Sequence, residues 1–386
     1  MRQPLVLLLR RVTVGALALA GTWMTVTSPA AAPAQPTPEA AHLAFTERFH
    51  ALQHGGIVRA ANASISCRAA SSGRDPLSPS ARSCTAARAG GQGTNGDFDM
   101  DYIDVDQDPN TYNSSRAEVR LPEGSRVTYA RLYWGGNLRV GEQKPPEDTG
   151  RVLIAEPGGE YKELLADTVT GHRVTHDADA YQASADVTRL VQESGGGLYT
   201  VAQVDVAKGS SAAGAWGGWT LVVAYDNPAE PLRHLSLWDG FTALDPRSAE
   251  EIRLSGRRFP GGAGGRVGLV AYNGDHGTVG DSLHLTYGQA SRRPDRPDDH
   301  MSGSTALALG DPANPVDDVL NSTIDEPGDL PPERSPAYTN NLGYDSDVFD
   351  LGERLAHQGD QLTLRLLCRR DAAWAGVLFV AVDAQP

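Results

Sequence analysis

A run of aspartates at alternating positions is the segment of this sequence that most suggests chemistry. Its members, with the two residues that close it, are Asp97, Asp99, Asp101, Asp104, Asp106, Asp108, Pro109 and Asn110. So many carboxylates repel one another unless a cation or water screens them. Oxygen-bearing side chains at alternating positions are typical of a calcium loop, which predicts these ligands: Asp104, Asp106, Asp108 and Asn110. Pro109 and Ser115 replace the glycine and the bidentate glutamate of an EF-hand, so a solvated acidic strand edge is the alternative.

A second acidic set follows the turn-like residues 340–343. It contains Asp345, Asp347 and Asp350. Because carboxylates on alternating positions of a strand share a face, Asp345 and Asp347 form a second candidate metal set. Carboxylates of a turn and a strand edge are the alternative interpretation.

Two other clusters of titratable residues have weaker patterns. They are His172 and His176 with Asp177 and Asp179, and Asp275 with His276, Asp281 and His284. The first has a metal-like spacing only in a helix, and its neighbours are poor helix formers. The second could act in acid–base chemistry, but neither G-x-S-x-G nor H-E-x-x-H occurs in the chain. No catalytic residue is predicted.

Tryptophans beside glycine suggest a place where a ligand ring could stack. Trp216 lies between Gly214 and Gly217, and we predict that it is exposed as a stacking platform. Trp219 and Trp238 occur within apolar strands, and we predict that both are buried in the core.

The three cysteines favour an oxidising compartment. Cys67 and Cys84 lie close together in a segment poor in apolar residues, and we predict that they form a disulfide. Cys368 is then a buried thiol in an apolar strand. A disulfide between Cys368 and either of the others is the alternative.

The N-terminal residues have the three parts of a secretory signal. Arg2, Arg10 and Arg11 precede an apolar stretch, and Ala32-Pro33-Ala34 fits a cleavage site, which predicts a signal peptide over residues 1–34. A membrane anchor is the alternative. No later apolar stretch reaches the length of a span, so we expect a secreted, extracellular mature protein without a membrane span.

The charge balance excludes some classes of partner. The formal net charge is -14, and removal of the signal takes away three arginines. Such an acidic chain is a poor ligand for nucleic acid or anionic membranes. The residue usage, with few lysines and abundant Arg, Ala, Gly and Asp, is typical of an actinobacterial protein.

The pattern of the remaining chain predicts an all-β protein. Many short apolar segments punctuated by Gly, Pro, Asn and Asp indicate an antiparallel β-sandwich, jelly-roll-like, with Trp219–Tyr225 and Trp374–Val382 as central buried strands. We predict a short N-terminal helix over Pro38–Gln53, and Ala185–Glu193 is the best later helical segment. The predicted organisation is a signal (1–34), a linker, helix and disulfide loop (35–96), and the sandwich (97–386), with a split into two smaller sandwiches near 245 as the alternative.

Several motifs carry a resemblance. They are Thr111-Tyr112-Asn113-Ser114-Ser115-Arg116-Ala117, Leu121-Pro122-Glu123-Gly124-Ser125, Ala130-Arg131-Leu132-Tyr133-Trp134-Gly135-Gly136, Gly218-Trp219-Thr220-Leu221-Val222-Val223-Ala224-Tyr225, Leu237-Trp238-Asp239-Gly240-Phe241, Asn321-Ser322-Thr323-Ile324 and Asn341-Leu342-Gly343-Tyr344-Asp345-Ser346-Asp347. Together they resemble an uncharacterised family of secreted actinobacterial surface proteins whose β-rich region often precedes repeat domains. The resemblance covers about residues 95–383 and implies fold and location, not an activity.

Two functions follow as expectations. The first is a secreted, non-catalytic β-sandwich protein of the cell envelope or extracellular space, with calcium as a stabilising ion and an unknown extracellular ligand or envelope component as partner. The alternative is a secreted hydrolase that acts on glycan or peptide through carboxylates in the Asp-rich loops. Two carboxylates in a cleft beside exposed tryptophans would favour the hydrolase.

Overall fold

The computed structural model describes residues 43–68, 83–106, 108–175, 177–244, 249–289, 302–352, 354–370 and 372–385. All of them belong to one compact unit, Glu39–Pro386. The predicted signal peptide and the linker up to residue 42 lie outside the described residues. The described chain is almost entirely antiparallel β-structure, which confirms the predicted fold class.

Four sheets contain the strands. The largest has nine, in the spatial order β18 (Tyr344–Asp350), β14 (Gly265–Tyr272), β20 (Trp374–Asp383), β12 (Leu232–Ala243), β1 (Leu43–Ala63), β11 (Gly217–Asp226), β5 (Arg126–Asn137), β9 (Ala178–Asp186) and β8 (Thr168–Thr175). A five-stranded sheet contains β17 (Arg334–Ser335), β4 (Ser114–Val119), β10 (Gly197–Ala202), β6 (Arg151–Ala155) and β7 (Lys162–Leu165). A four-stranded sheet contains β13 (Ala249–Phe259), β19 (Gly359–Cys368), β15 (Asp281–Gln289) and β16 (Ser302–Leu309). A short pair contains β2 (Ile65–Cys67) and β3 (Met100–Tyr102).

Strand β1 joins two halves of the nine-stranded sheet. Its first part, Leu43–His54, pairs with β12, and its second part, Gly55–Ala63, pairs with β11. Gly55 lies at the change of partner with φ at +118°, and a Cβ there would be 2.2 Å from the carbonyl oxygen of Tyr225. Only glycine fits this position, because the strand changes direction where it touches the neighbouring backbone. We call β18, β14, β20 and β12 the C-terminal half-sheet and β11, β5, β9 and β8 the N-terminal half-sheet.

The two half-sheets face each other across a shared hydrophobic core. Phe379 of β20 and Val222 of β11 belong to this middle core, and the hydroxyls of Thr220 and Tyr344 meet across it at 2.8 Å. Alternate residues of the same strands point the other way: Leu378 packs in a core with the four-stranded sheet. Leu221 packs in a third core with the five-stranded sheet. Because side chains alternate along a strand, the central strands of each half-sheet are buried on both faces, and the sheets stack as the layers of a β-sandwich.

Both strands predicted to be central are confirmed. Trp219–Tyr225 lies within β11 and Trp374–Val382 within β20, and every residue of these two segments is buried. Strand β12 ends before residue 245 and strand β20 begins well after it, and these two strands pair with each other.

The predicted helix over Pro38–Gln53 is wrong, because from Leu43 onward this segment is strand β1. Leu43, Phe45 and Phe49 fit an alternation of two as well as a helical period, and a short apolar pattern cannot separate the two. Pairing with β12, and stacking of Phe49 on Tyr129 at 4.7 Å, select the strand. The α-helices of the described chain are α1 (Cys84–Arg88) and α2 (Thr188–Ser194), and α2 confirms the helix predicted near residues 185–193. Two short 3-10 turns occupy Asn95–Asp97 and Pro146–Asp148.

The predicted disulfide between Cys67 and Cys84 is confirmed. It joins the end of β2 to the start of α1, and residues 69–82 between them lie outside the described chain. Cys368 lies outside this disulfide and is buried, as predicted. Among the described residues, no helix is long and apolar enough to cross a membrane.

Candidate cation site

The aspartates predicted to form a calcium loop are engaged in local hydrogen bonds. Asp104 Oδ1 accepts from the Ser114 hydroxyl at 2.9 Å, and Asp106 Oδ1 accepts from the Asp108 amide at 3.1 Å. Asp108 Oδ1 accepts from the backbone amide of Asn110 at 2.9 Å and from its side-chain amide at 2.8 Å. Asp106 and Asp108 each close a turn through an amide two residues on, which is a common use of this residue type, whereas Asp104 bonds to Ser114, ten residues further along the chain.

The electrostatics of Asp106 fit this turn role. Burial works to raise its pKa, but hydrogen bonds from the Tyr161 hydroxyl and the Asp108 amide outweigh burial and lower the pKa below its ordinary value. Within the described residues, no group of three or more His, Cys, Asp or Glu side chains is arranged to hold a metal ion. That a calcium ion binds to this run of aspartates stays a prediction.

The second acidic set lies in a different environment. Asp345 and Asp347 of β18 are fully buried, whereas Asp350 at the end of the strand is exposed and accepts from the amide of Gly352 at 2.7 Å. Asp345 Oδ1 accepts from the amides of Ser322 and Thr323, at 2.6 and 3.3 Å. Asp347 Oδ1 accepts from the amide of Asp325 at 2.9 Å. The Oδ2 atoms of both aspartates are buried and have no hydrogen-bond partner among the described residues.

Burial makes these two carboxylates unusual acids. Burial, with the charges of Asp347 and Asp281, raises the pKa of Asp345 well above its ordinary value. Burial likewise raises the pKa of Asp347 to about 8, against an opposing effect from Arg59. Ionised carboxylates in such a place require a compensating positive charge, because an unpaired buried charge is costly.

The Thr323 hydroxyl is the centre of an all-oxygen cluster beside Asp347. Its Oγ1 lies 2.6 Å from Asn314 Oδ1, 2.8 Å from Asn321 Oδ1 and 3.0 Å from Asp347 Oδ1. A hydroxyl carries one proton, so it can donate to only one of these three acceptors. We call Asn314, Asn321, Thr323 and Asp347 the oxygen cage; all four are at most 4% exposed.

Backbone contacts fix the orientation of the cage. The side-chain amide of Asn321 donates to the carbonyl of Ala313 at 2.8 Å, which directs its oxygen towards Thr323. The loop that carries the cage also pairs with the free edge of β18: the amide of Ser346 donates to Thr323 O at 3.0 Å, and that of Val348 donates to Asp325 O at 3.0 Å. The loop thus covers the outermost strand of the C-terminal half-sheet, which would otherwise expose unpaired amides.

Part of the predicted acid–base cluster lies beside this loop. His276 Nδ1 is 3.3 Å from the carbonyl oxygen of Asn321, and a carboxylate oxygen of Asp281 accepts from the amide of Leu320. His284 instead contacts the Ser282 hydroxyl at 3.0 Å. The cluster is therefore not brought together as one acid–base site. Of the other predicted set, the side chains of His172 and His176 lie outside the described residues.

Trp216 is not a stacking platform. Its side chain is fully buried, with ring centroids 5.1 Å from Trp374 and 5.6 Å from Tyr272. The glycines around it permit close packing: a Cβ on Gly343 would lie 2.7 Å from the Trp216 Cβ. Trp219 and Trp238 are buried as predicted. Every tryptophan in the described part of the chain is buried, so none supplies the exposed ring that would favour a glycan hydrolase.

The fold and the cage together define an antiparallel β-sandwich protein with a buried, oxygen-lined polar centre at the edge of one sheet. No model of a known protein family matches the chain, and no curated protein matches it. Among solved structures, it is similar to the major capsid protein P2 from Bacteriophage PM2, with 13% identity and a TM-score of 0.16, over 72% of this chain and 95% of that one. A likeness at this TM-score carries no argument about function.

Proposed function

We propose that this chain is a secreted, non-catalytic β-sandwich protein of the cell envelope or extracellular space, stabilised by a calcium ion in the oxygen cage. The observation that carries the proposal is the convergence of three acceptor oxygens on the single proton of Thr323. A cation beside them would satisfy all of these oxygens at once, together with the unpartnered Oδ2 of Asp347.

The chemistry of the cage favours calcium over other metals. Calcium takes about six to eight oxygen ligands, including carboxylates, amide carbonyls and backbone carbonyls, in flexible geometry. The cage offers no nitrogen or sulfur ligand, which zinc or copper would select. It also contains one carboxylate among neutral oxygens, a combination of ligands that calcium accepts. Weak sites of this kind suffice where calcium is plentiful, as it is outside cells.

The structural effect of the ion would be to fasten the loop to the sheet. Asn314, Asn321 and Thr323 belong to the loop between β16 and β17, whereas Asp347 belongs to β18. An ion bound by both would hold the edge of the C-terminal half-sheet and stabilise the folded state by mass action.

Thermal unfolding of the mature protein, residues 35–386, tests the proposal. Calcium at a hundredfold excess over its Kd should stabilise the fold by about 2.7 kcal/mol relative to a chelator, which raises the midpoint by several degrees. Asp347→Asn should abolish that shift, and the matched variant Asp104→Asn in the acidic run should keep it. An unchanged midpoint for the wild-type protein, or a shift lost only in Asp104→Asn, would remove the cage from consideration. Export is tested separately, by detection of the processed protein outside the cell.

A further inference from the structure

A cleft of about 580 Å³ opens where β1 changes partner between the two half-sheets. Its walls come from Gly56–Val58 after the bend, from the end of β4, from the first residues of β14 and from the loop that follows the oxygen cage. Gly56 and Gly265 line the cleft and carry no side chain to fill it. Its volume lies in the range of sites that enclose a small ligand.

Three arginines line the cleft, and two of them have partners. Arg233 pairs with Glu230 at 2.7 Å and with Asp383 at 3.0 Å. Arg120 pairs with Glu118 at 2.6 Å. Arg266 is half-buried and makes no ion pair or side-chain hydrogen bond among the described residues, although Asp350 lies opposite it in the register of β14 and β18.

The unpaired guanidinium indicates the charge of the ligand. A half-buried arginine loses part of its hydration. An anion that accepts hydrogen bonds from its two parallel N–H groups replaces the lost interactions with water. A carboxylate matches the planar fork of the guanidinium in two hydrogen bonds. Among the described residues, no carboxylate forms an ion pair with Arg266, so its guanidinium is available to the carboxylate of a ligand.

The other walls of the cleft indicate the rest of the ligand. Glu326 lines the cleft and, among the described residues, has one ion pair, a long contact of 3.9 Å with Arg59. Asp350 lines it as well, so negative charge is available for an ammonium group. Leu121 and the 77%-exposed Leu330 line the same cleft and provide apolar surface. Charges of both signs together with apolar surface in one cleft match a short peptide with free termini.

We propose that this cleft binds a short peptide through its free C-terminal carboxylate, with Arg266 as the carboxylate partner and Glu326 as the partner of the amino group. This inference rests on the binding role within the proposed function and names its ligand class. It can fail separately from the calcium site, since neither side chain belongs to the oxygen cage.

Calorimetric titration of the mature protein with trialanine, its C-terminal amide and acetate tests the assignment. Trialanine should bind saturably, and both the amide and acetate should bind at least about tenfold more weakly. Arg266→Gln should weaken trialanine binding to a similar degree. The matched control Arg253→Gln, which changes an arginine paired with Glu251 on β13, should leave it unchanged.

Thermal midpoints separate binding from folding. Because Arg266 has no side-chain partner among the described residues, Arg266→Gln should unfold at the wild-type midpoint and keep any calcium shift. No saturable binding of trialanine at millimolar concentration, equal binding of the amide, or wild-type affinity in Arg266→Gln would overturn the assignment. None of these results reports on whether calcium stabilises the fold, which the thermal midpoints with calcium and chelator measure.

Discussion

Asp205 is a buried carboxyl outside the cage, and its titration should be visible in the stability of the protein. It is 3% exposed, and within the described part of the chain its Oδ2 has no hydrogen-bond partner. Burial raises its pKa to about 6, against an opposing effect from Lys144. The folded state therefore holds this proton more tightly than the unfolded state does. The associated stability is fully present below about pH 4 and is lost as the pH rises through about 6.

Asp205→Asn should remove this dependence. At pH 7 the variant should have a free energy of unfolding about 2 to 3 kcal/mol higher than the wild-type protein, because the wild type must hold an ionised buried group. At pH 3.5 the gain should vanish. Urea unfolding of both proteins between pH 3.5 and pH 7 measures the difference in their free energies of unfolding. The other titrating groups are the same in both proteins, so their contributions cancel in this difference. A difference that does not change with pH would contradict the assignment.

The residues of the cage show what sequence patterns reveal at this scale. Asp345 and Asp347 stand out in the sequence because carboxylates at alternate positions of a strand share a face. Asn314 and Thr323 carry no such signal, since polar residues in a loop are usually exposed and their burial depends on which strand the loop covers. The prediction that Trp216 is exposed is wrong for a related reason, because neighbouring glycines permit close packing of a ring as readily as its exposure.

The contribution of the glycine at the bend in β1 to folding stability can be tested by substitution. Gly55→Ala places a Cβ 2.2 Å from the carbonyl oxygen of Tyr225 at a φ of +118°, so the strand must shift. We expect a loss of about 2 to 4 kcal/mol of folding stability. Gly158→Ala is the matched control, because its φ is +72° and nothing lies within 4 Å of the added Cβ. It should cost about 1 kcal/mol, and equal losses in the two variants would show that crowding at the bend is unimportant.

The disulfide is the second element with a measurable contribution. Cys67 and Cys84 are 17 residues apart, and the bond connects β2 to α1. Replacing both by alanine should lower the free energy of unfolding by about 3 kcal/mol, because the unfolded chain regains the entropy of an open loop. Urea unfolding of the double variant checks this value. The reduced wild-type protein should match the variant, and a variant as stable as the oxidised protein would contradict the expectation.

At the scale of the molecule, composition and turn spacing predicted the sandwich but not its layers. Strands β11 and β20 are recognisable because both are continuous apolar runs, and such runs indicate burial on two faces. Which strands become neighbours depends on contacts between distant residues: β1 pairs with β11 and β12, more than 150 positions away along the chain. The same contacts decided that Leu43–His54 is a strand, so local periodicity gave the wrong prediction there.

The proximity of the cage and the cleft along the chain predicts a coupling between them. Thr323 belongs to the cage, the Asp325 amide bonds to Asp347, and Glu326 and Leu330 then line the cleft. An ion that fastens this loop should therefore order one wall of the cleft. We expect a chelator to weaken trialanine binding several-fold in the wild-type protein and to have no effect in Asp347→Asn. Calorimetry with and without chelator measures this, and equal affinities in the wild-type protein would show that the two sites are independent.

The position of β20 has a consequence for the time order of folding. This last strand of the described chain lies between β12 and β14 and contributes side chains to two hydrophobic cores, one on each of its faces. While the chain is being made, those cores stay open until residues near 380 have appeared. If the chain is exported as proposed, a chain that cannot close early would remain extended enough to be threaded through a secretory channel, and it would rely on rapid closure afterwards to hide its apolar strands from other molecules.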